Sequence, residues 1–231
     1  MTVPALPNLD RSTLRERALM ALRTAITTGQ YRPGDHLGEV EIATRLSVSR
    51  GTVREALRHL QQEGLVVAGV RGMLRVQSLS PKEVRELFEV RGSLEGLAVA
   101  QVIALPDKDR TSAAASLRQA LERLDEAFED PGNFEAQVEA DLAFHSLLCE
   151  LSGNSMLVKT WRHLEGPTRV VVMSAASERR KATMSAGHHL PIVEAIERGD
   201  TDAAVGVLHE HMTSAMTKLQ PEADGPASSK R

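Results

Sequence analysis

Apolar residues recur at helical spacing through most of the chain, and the interruptions mark the ends of helices. From 11 to 28 they are spaced three and four apart, and Gly29 is a suitable stop. The turn signal Pro33-Gly34 follows. Two shorter helical patterns then cover residues 39–46 and 51–63. The pattern therefore predicts three helices before the periodicity changes.

After the third helix the apolar period shortens from about 3.6 to two residues. The segment "LVVAGVRGMLRVQSL" alternates Val and Leu around Gly69 and Gly72, which is typical of a two-stranded hairpin. A new helix starts at Ser80 as N-cap, with Pro81 in its first turn. We place a domain boundary between hairpin and helix, near residue 78.

Almost everything beyond this boundary has helical periodicity. The predicted helices cover residues 81–104, 107–128, 133–152, 154–178, 181–198 and 201–219. The fold class is thus mainly α: a winged helix-turn-helix with a small β-hairpin wing at 11–78, and an all-α antiparallel bundle at 79–220. We expect a flexible arm at 1–10 and a disordered tail at 221–231, which is poor in apolar residues.

Charge is distributed unevenly, although the net charge is only −3. Residues 1–78 hold eleven Arg, no Lys and seven acidic residues, a net +4. Residues 79–231 hold 17 basic and 24 acidic residues, a net −7. A basic first part joined to an acidic second part indicates two domains, of which the first faces a polyanion.

The remaining composition excludes some classes of protein. The single cysteine, Cys149, excludes an internal disulfide framework. No apolar run approaches the roughly 20 residues of a membrane span, and the N-terminus lacks the features of a secretion signal. We therefore expect a cytoplasmic protein with no membrane partner.

The helix predicted at 51–63 has one apolar face and one basic face. The second helix of a helix-turn-helix enters the major groove of DNA with its N-terminus first. Arginine suits this place because it forks onto a guanine or clamps a phosphate, and an N-cap serine leaves helix amides near a phosphate. A hairpin tip flanked by glycines can also lie in the minor groove of DNA or against the DNA backbone. The candidate DNA contacts are Ser49, Arg50, Thr52, Arg54, Arg58 and Arg71.

A second set of residues has the composition of a divalent metal site. Asp141 and His145 lie four apart, on one helix face that also carries apolar residues. His189 lies 10 residues before Gly199 and His211 lies 12 after it, so an antiparallel helix pair brings both to a similar height. A carboxylate and three imidazoles converging in an apolar bundle would hold such an ion.

Other interpretations of these residues stay open. Each histidine could be a satisfied core residue, and His188 and His209 are adjacent alternatives. Cys149, one turn beyond His145, is either a soft ligand or part of the core. The arginines of the helix at 51–63 could likewise belong to a solvated surface.

The segment "PGDHLGEVEIATRLSVSRGTVREALRHLQQEGLV" resembles the DNA-binding domain of the GntR family of bacterial regulators. The resemblance implies that Arg50 and Arg54 contact operator DNA, with Thr52 beside them. Ile42-Ala43 stands where the family has Leu-Ala, and Val40 stands where some relatives carry a DNA-contacting arginine. Gly51-Thr52 replaces Thr-Pro at the start of the recognition helix, so we expect a different base preference.

Residues 81–219 resemble the FCD ligand-binding domain of the FadR-type subfamily, through "FEVRGSLEGLAVA", "DLAFHSLLCELSGN" and "HHLPIVEAIERGD". This resemblance implies a metal bound by Asp141, His145, His189 and His211, with zinc or nickel as the expected ion. It also implies a homodimer and a small carboxylate or sugar-acid effector beside the metal. Arg91 is the candidate anion partner, and Asn154 is a further candidate polar contact that could instead cap a helix.

The sequence thus predicts a metabolite-responsive transcriptional regulator, a repressor by family expectation, that binds double-stranded operator DNA. It is not expected to be an enzyme. Three alternatives stay open: a metal sensor in which the ion is the signal, a helical metal-dependent hydrolase, and a non-specific nucleic-acid-binding protein. The hydrolase is disfavoured because no further acid or base has motif-like spacing.

Overall fold

The computed structural model describes residues 14–130, 132–179 and 185–219, and only the backbone of Arg71 and of 175–179. The arm predicted at 1–10 and the tail predicted at 221–231 lie outside these residues. Within them the chain forms nine α-helices and one two-stranded antiparallel sheet. None of these helices is long and apolar enough to cross a membrane. The mainly α prediction, with a small hairpin between two helical parts, is confirmed.

The first part is a helix-turn-helix followed by a wing. Its strands pair in the register Val66 to Val76, and a 3-10 turn at Val70–Gly72 joins them. The His36–Arg75 bridge ties the wing to the turn before the second helix. The elements are α1 (Leu14–Thr27), α2 (Glu39–Leu46), α3 (Arg50–Gln62), β1 (Val66–Ala68) and β2 (Leu74–Val76).

Local backbone chemistry sets the turns of this part. Ser47 ends α2 in the left-handed conformation, with φ of 55°. Ser49 then caps α3 by accepting a hydrogen bond from the Thr52 amide. Gly64 follows the end of α3 with φ of +74°, a conformation that costs glycine least. The chain therefore leaves α3 sharply and enters the wing.

The second part is a bundle of six helices whose bounds follow the predictions to within a few residues. The helix predicted to start at 181 begins at Ala186, and residues 181–184 lie outside the described part of the chain. Ser80 and Glu83 form a complete capping box at the start of the bundle. The helices are α4 (Pro81–Ile103), α5 (Asp107–Glu129), α6 (Phe134–Leu151), α7 (Ser155–Arg179), α8 (Ala186–Arg198) and α9 (Thr201–Leu219).

Two hydrophobic clusters support the two parts. One fills the bundle, and the other lies under α1, α2, α3 and the wing. Val170 of α7 belongs to the second cluster, so the bundle reaches into the core of the first part. Within the bundle, α9 lies close to Gly92 of α4: a Cβ there would come within 3.3 Å of the His209 ring.

Candidate functional site

The helix α3 buries its apolar face completely and turns its basic face outward. Val53, Ala56, Leu57 and Leu60 are each 0% exposed, whereas the predicted contacts Arg50, Arg54 and Arg58 are all exposed. Burial of one face fixes the helix rotation, so the arginines point away from the protein. This is the orientation that a recognition helix needs to meet DNA.

Two predicted contacts at the start of α3 are tied to one another. Ser49 Oγ accepts from the Thr52 amide at 3.1 Å and lies 2.9 Å from Thr52 Oγ1. Both hydroxyls therefore help to order the first turn of the helix. That turn is also where the helix amides face an approaching phosphate.

Arg54 is held by a residue that sequence reasoning missed. Its Nε and Nη2 donate to the two carboxylate oxygens of Glu39, at 2.9 and 2.7 Å. This hydrogen bond from Arg54 lowers the pKa of Glu39, so the carboxylate stays ionised. The Glu39 carboxylate thus occupies the side edge of the guanidinium, and the Arg54 side chain stays 55% exposed. Glu39 and Arg54 are 15 residues apart in the sequence, and the crossing of α2 and α3 brings their side chains together.

The other basic candidates differ in their surroundings. Arg58 lies 3.3 Å from Glu55 on the same helix. Arg71 lies in the turn between the two strands, and its side chain is outside the described part of the structure. Arg75 on β2, not singled out from the sequence, donates to the Gly34 carbonyl at 2.8 Å and so fixes the wing.

Three of the predicted metal ligands converge in the bundle. The ligand atoms of His145, His189 and His211 all lie within 4.8 Å of one another. His145 comes from α6, His189 from α8 and His211 from α9. The structure thus brings together side chains that are 44 and 22 residues apart, as the antiparallel arrangement of α8 and α9 predicts.

Hydrogen bonds fix which nitrogens of two of these rings carry a proton. His145 Nδ1 lies 2.5 Å from Glu95 Oε2, and His189 Nδ1 lies 3.1 Å from the Ser185 carbonyl. Because both partners only accept, Nδ1 of each ring is the donor, and in the neutral ring the lone pair is then on Nε2. The two Nε2 atoms face each other at 3.3 Å. Two ligands bound tetrahedrally to one zinc ion at about 2.0–2.1 Å are separated by about this distance.

Asp141 completes the cluster with a negative charge. Its Oδ1 lies 3.1 Å from His189 Nε2 and 4.0 Å from His145 Nε2, yet it receives no hydrogen bond of acceptable geometry. Burial raises its pKa, but His189, His145 and Arg91 outweigh that effect and hold the pKa below its ordinary value. Burial and the neighbouring histidines strongly lower the pKa of His211, which stays neutral. An ionised oxygen and imidazole lone pairs sharing one buried space fit a cation.

Glu95, which the sequence analysis did not single out, connects the cluster to two other helices. Its carboxylate accepts from His145, from Arg91 Nε at 3.0 Å and from Trp161 Nε1 at 2.9 Å. Burial raises the pKa of Glu95, but the charges of His145 and Arg91 and the hydrogen bonds lower it to about 2. Such a partner orients a ligand imidazole and increases its basicity. Its i, i+4 spacing from Arg91 was the only signal available in the sequence.

A small cavity adjoins the histidine cluster. Its volume is about 20 Å³, and its polar lining consists of Arg91, Asp141, His145 and His211. Arg91 is 2% exposed and its Nη2 has no hydrogen-bond partner. An unpaired buried guanidinium nitrogen is costly, and here it lies at the wall of a cavity. The apolar lining comprises Phe88, Val172, Ala215 and Leu219.

The remaining candidates lie elsewhere. Asn154 does not line this cavity; its Oδ1 accepts from the Leu157 amide at 3.1 Å and caps α7. His188 is exposed and lies 3.0 Å from Ser185 Oγ, and His209 is exposed on α9. Cys149 is buried in the bundle core, and burial strongly raises the pKa of its thiol. The weaker ligand alternatives are therefore outside the cluster.

A winged helix-turn-helix joined to a helical bundle is an architecture of DNA-binding regulators. Comparison with known families agrees. Residues 14–76 match the gntR family of bacterial regulatory proteins, and residues 86–214 match the FCD domain. The chain belongs to the GntR family and carries an FCD domain.

Individual relatives give the same result. The chain is 29% identical over 206 residues to a probable D-xylose utilization operon transcriptional repressor of Paenarthrobacter nicotinovorans, covering 89% of this chain and 88% of the relative. It is 25% identical to the gluconate operon transcriptional repressor of Bacillus subtilis, covering 92% and 87%. A GntR regulator from Rhodococcus sp. RHA1 has a similar structure, with a TM-score of 0.70, 26% identity and coverage of 89% and 96%. The protein is a DNA-binding transcriptional regulator.

Proposed function

We propose that the protein is a repressor whose affinity for operator DNA is set by a small carboxylate, such as a sugar acid, bound beside a metal ion in the bundle. The observation that carries the proposal is the unpaired Nη2 of buried Arg91 at the wall of the same cavity as Asp141, His145 and His211. A fixed guanidinium beside a cation site selects an anion with a carboxylate group.

The four ligands fit a divalent ion, with zinc or nickel as the expected metal. Asp141, His145, His189 and His211 would hold it, and Glu95 and the Ser185 carbonyl orient two of the rings. When bound, the metal supplies positive charge and a coordination position for an anion. Arg91 supplies the second positive group, and its Nε is already fixed on Glu95.

The size of the cavity sets a condition on the effector. A volume of about 20 Å³ holds about one water molecule. A sugar acid would therefore have to displace the apolar wall formed by Val172 of α7 and by Leu219 of α9. The ligand-bound and ligand-free bundles must then differ in structure, as regulation of DNA affinity requires.

The acting unit is proposed to be a homodimer. Val90 and Leu97 are apolar, 47% and 46% exposed, and seven residues apart on one face of α4. Apolar residues at this spacing form a helix face that a second copy can cover. Two recognition helices held by one dimer match the paired half-sites of an operator.

Thermal stability with matched ligands tests the effector proposal. Zinc-loaded protein is heated with D-gluconate or with D-glucose, which is similar in size but lacks the carboxylate. We expect Tm to rise with gluconate, or with another acid of a sugar-acid panel, and not with glucose. The Arg91→Gln variant should lose that rise and keep its zinc. A panel in which neutral sugars stabilise as well as acids contradicts the proposal.

A metal sensor is the second candidate, and the small cavity favours it because no effector fits without movement. It predicts that zinc alone changes DNA affinity and that no acid adds to the effect. Titrating a selected DNA duplex with zinc, with chelator and with organic acids separates the two functions.

A further inference from the structure

The end of the recognition helix rests on a notch in α7 formed by Gly166 and Pro167. A Cβ built on Gly166 would overlap the carbonyl oxygen of Glu63 and lie 2.7 Å from its carbonyl carbon. A Cβ on Gly64 would lie 2.7 Å from Pro167 Cδ. Glycines on both sides thus let two backbones approach more closely than any side chain permits.

Further contacts anchor this notch in the DNA-binding part. Glu63, whose backbone meets Gly166, accepts a bidentate pair from Arg23 of α1, at 3.1 and 2.6 Å. Val170, one turn beyond the notch, is 5% exposed within the core under α1, α2 and α3. The notch therefore fixes the position of the recognition helix relative to α7.

The opposite face of α7 reaches the histidine cluster. Trp161 is 1% exposed and donates to Glu95, which in turn pairs with the candidate ligand His145. Trp161 precedes Gly166 by five residues, about 140° around the helix and about 7.5 Å along it. Val172, on the same helix, lines the small cavity. One helix, α7, thus contacts both the ligand site and the DNA-reading helix.

We propose that α7 is the coupling element of the protein, and that the Gly166–Pro167 notch positions the recognition helix according to the state of the histidine cluster. The inference rests on the proposed function for the identity of the bound ion. The coupling itself does not depend on which ion binds. A single displacement of α7 would change the surroundings of Trp161 at one place and of Glu63 at another. Coupling of this kind is reciprocal, so DNA should alter metal affinity by the same factor.

Trp161 is the only tryptophan and serves as the internal probe. Zinc is titrated into the full chain, alone or with a duplex that wild-type protein selects from a randomised pool, and Trp161 emission is recorded. In the wild type we expect the duplex alone to change the emission, and to change the zinc dissociation constant at least about fivefold. The Gly166→Ala variant forces the two backbones apart at the notch. In this variant the zinc dissociation constants with and without the duplex should become nearly equal, while zinc still binds in the absence of DNA.

Two variants complete the test. Gly206→Ala is the matched control, because Gly206 also lies within a helix and a Cβ there meets nothing within 4 Å. It should behave as the wild type. Pro167→Ala removes a ring from the notch and adds no bulk, so it should lower the coupling even if Gly166→Ala fails to fold.

The outcomes separate this inference from the proposed function. If wild-type protein binds no zinc, the metal proposal fails. The role of the notch is then decided by comparing the change in Trp161 emission that the duplex causes in the wild type with the change that it causes in Pro167→Ala. The inference is overturned if both notch variants keep the wild-type response to the duplex. It is equally overturned if the duplex changes neither zinc affinity nor emission in the wild type.

Discussion

Arg54 of α3 and Glu39 of the preceding helix α2 form a bidentate ion pair at the exposed face of α3. The carboxylate takes Nε and one hydrogen of Nη2, and leaves the end edge of the guanidinium, formed by Nη1 and the other hydrogen of Nη2. That remaining edge has the fork geometry that recognises guanine O6 and N7. Glu39 also offsets the charge of Arg54, which weakens its attraction to phosphates of any sequence.

Replacing Glu39 by Gln should therefore lower specificity. We expect tighter binding to random DNA, an increase of up to about 0.9 in the slope of log affinity against log salt, and a smaller ratio of specific to non-specific binding. Fluorescence anisotropy at several salt concentrations measures all three. Glu197→Gln is the matched control, since Glu197 holds Arg118 in the same bidentate way within the bundle. An unchanged specificity ratio would show that Glu39 has no role in reading DNA.

Arg54→Ala should remove recognition of the selected duplex while leaving the fold intact. Arg54 is exposed and does not belong to the hydrophobic cluster under the helix-turn-helix, so its loss should leave that cluster in place. We expect the affinity for the selected duplex to fall about tenfold to a hundredfold at fixed salt. Arg118→Ala, which also removes one exposed paired arginine, should bind as the wild type does. Equal footprints from both variants would contradict the assignment.

Native protein purified without a polyhistidine tag should contain about one divalent ion per subunit. The His189→Ala/His211→Ala double variant should contain none, because it removes two of the imidazoles that converge within 4.8 Å. Elemental analysis measures the content. A matched variant, His188→Ala/His209→Ala, alters the two neighbouring exposed histidines and should retain the metal. Equal metal in the two double variants would refute the site.

Glu95→Gln should weaken metal binding without removing a ligand. The carboxylate holds the proton of His145 Nδ1 and keeps Nε2 available, and loss of such a partner typically costs about 10- to 100-fold in metal affinity. Competition with a chromophoric chelator gives the dissociation constant. Glu165→Gln is the control, since Glu165 is a partly buried carboxylate on α7 that pairs with Arg169. If Glu95→Gln and the control bind equally, Glu95 only packs the bundle.

Changing the exposed apolar face of α4 should separate the subunits. Val90→Glu/Leu97→Glu places two charges on the face assigned to the second copy, and light scattering should then give the mass of one chain, 25.1 kDa. Affinity for a two-half-site duplex should fall with the dimer. Met156→Glu changes an apolar residue that is 67% exposed outside α4 and should leave the mass unchanged. A wild type that is already monomeric would exclude the dimer.

The elements of this fold were accessible from the sequence because each carries its own signal. The 3.6-residue period gives the helices, Gly64 marks the end of α3, and Ser80 begins α4 through its capping box. The convergence of His189 and His211 followed from their distances to the turn at Gly199. These are short-range relationships that helix geometry converts into positions.

The residues that the sequence did not reveal act through contacts between distant segments. Glu95 and His145 are 50 residues apart, and Glu95 and Trp161 are 66 apart. Gly166 is an unremarkable glycine within a helical pattern until Glu63 is placed against it. Asn154 illustrates the opposite case, because its local role as a helix cap is the one that the structure shows. The contacts of Glu95 and Gly166 depend on which helices pack against each other, and the hydrophobic periodicity of the sequence does not encode that pairing.

The DNA-binding part, as a stretch of sequence, ends before the core that it needs is complete, because Val170 belongs to that core. The small core beneath the DNA-reading surface is closed by a side chain encoded nearly a hundred codons downstream of the wing. A gene fragment that ends after β2 would encode a DNA-binding part lacking one of its buried residues. Recombination that joins this DNA-binding part to a foreign sensor must therefore bring a helix that restores the apolar contact.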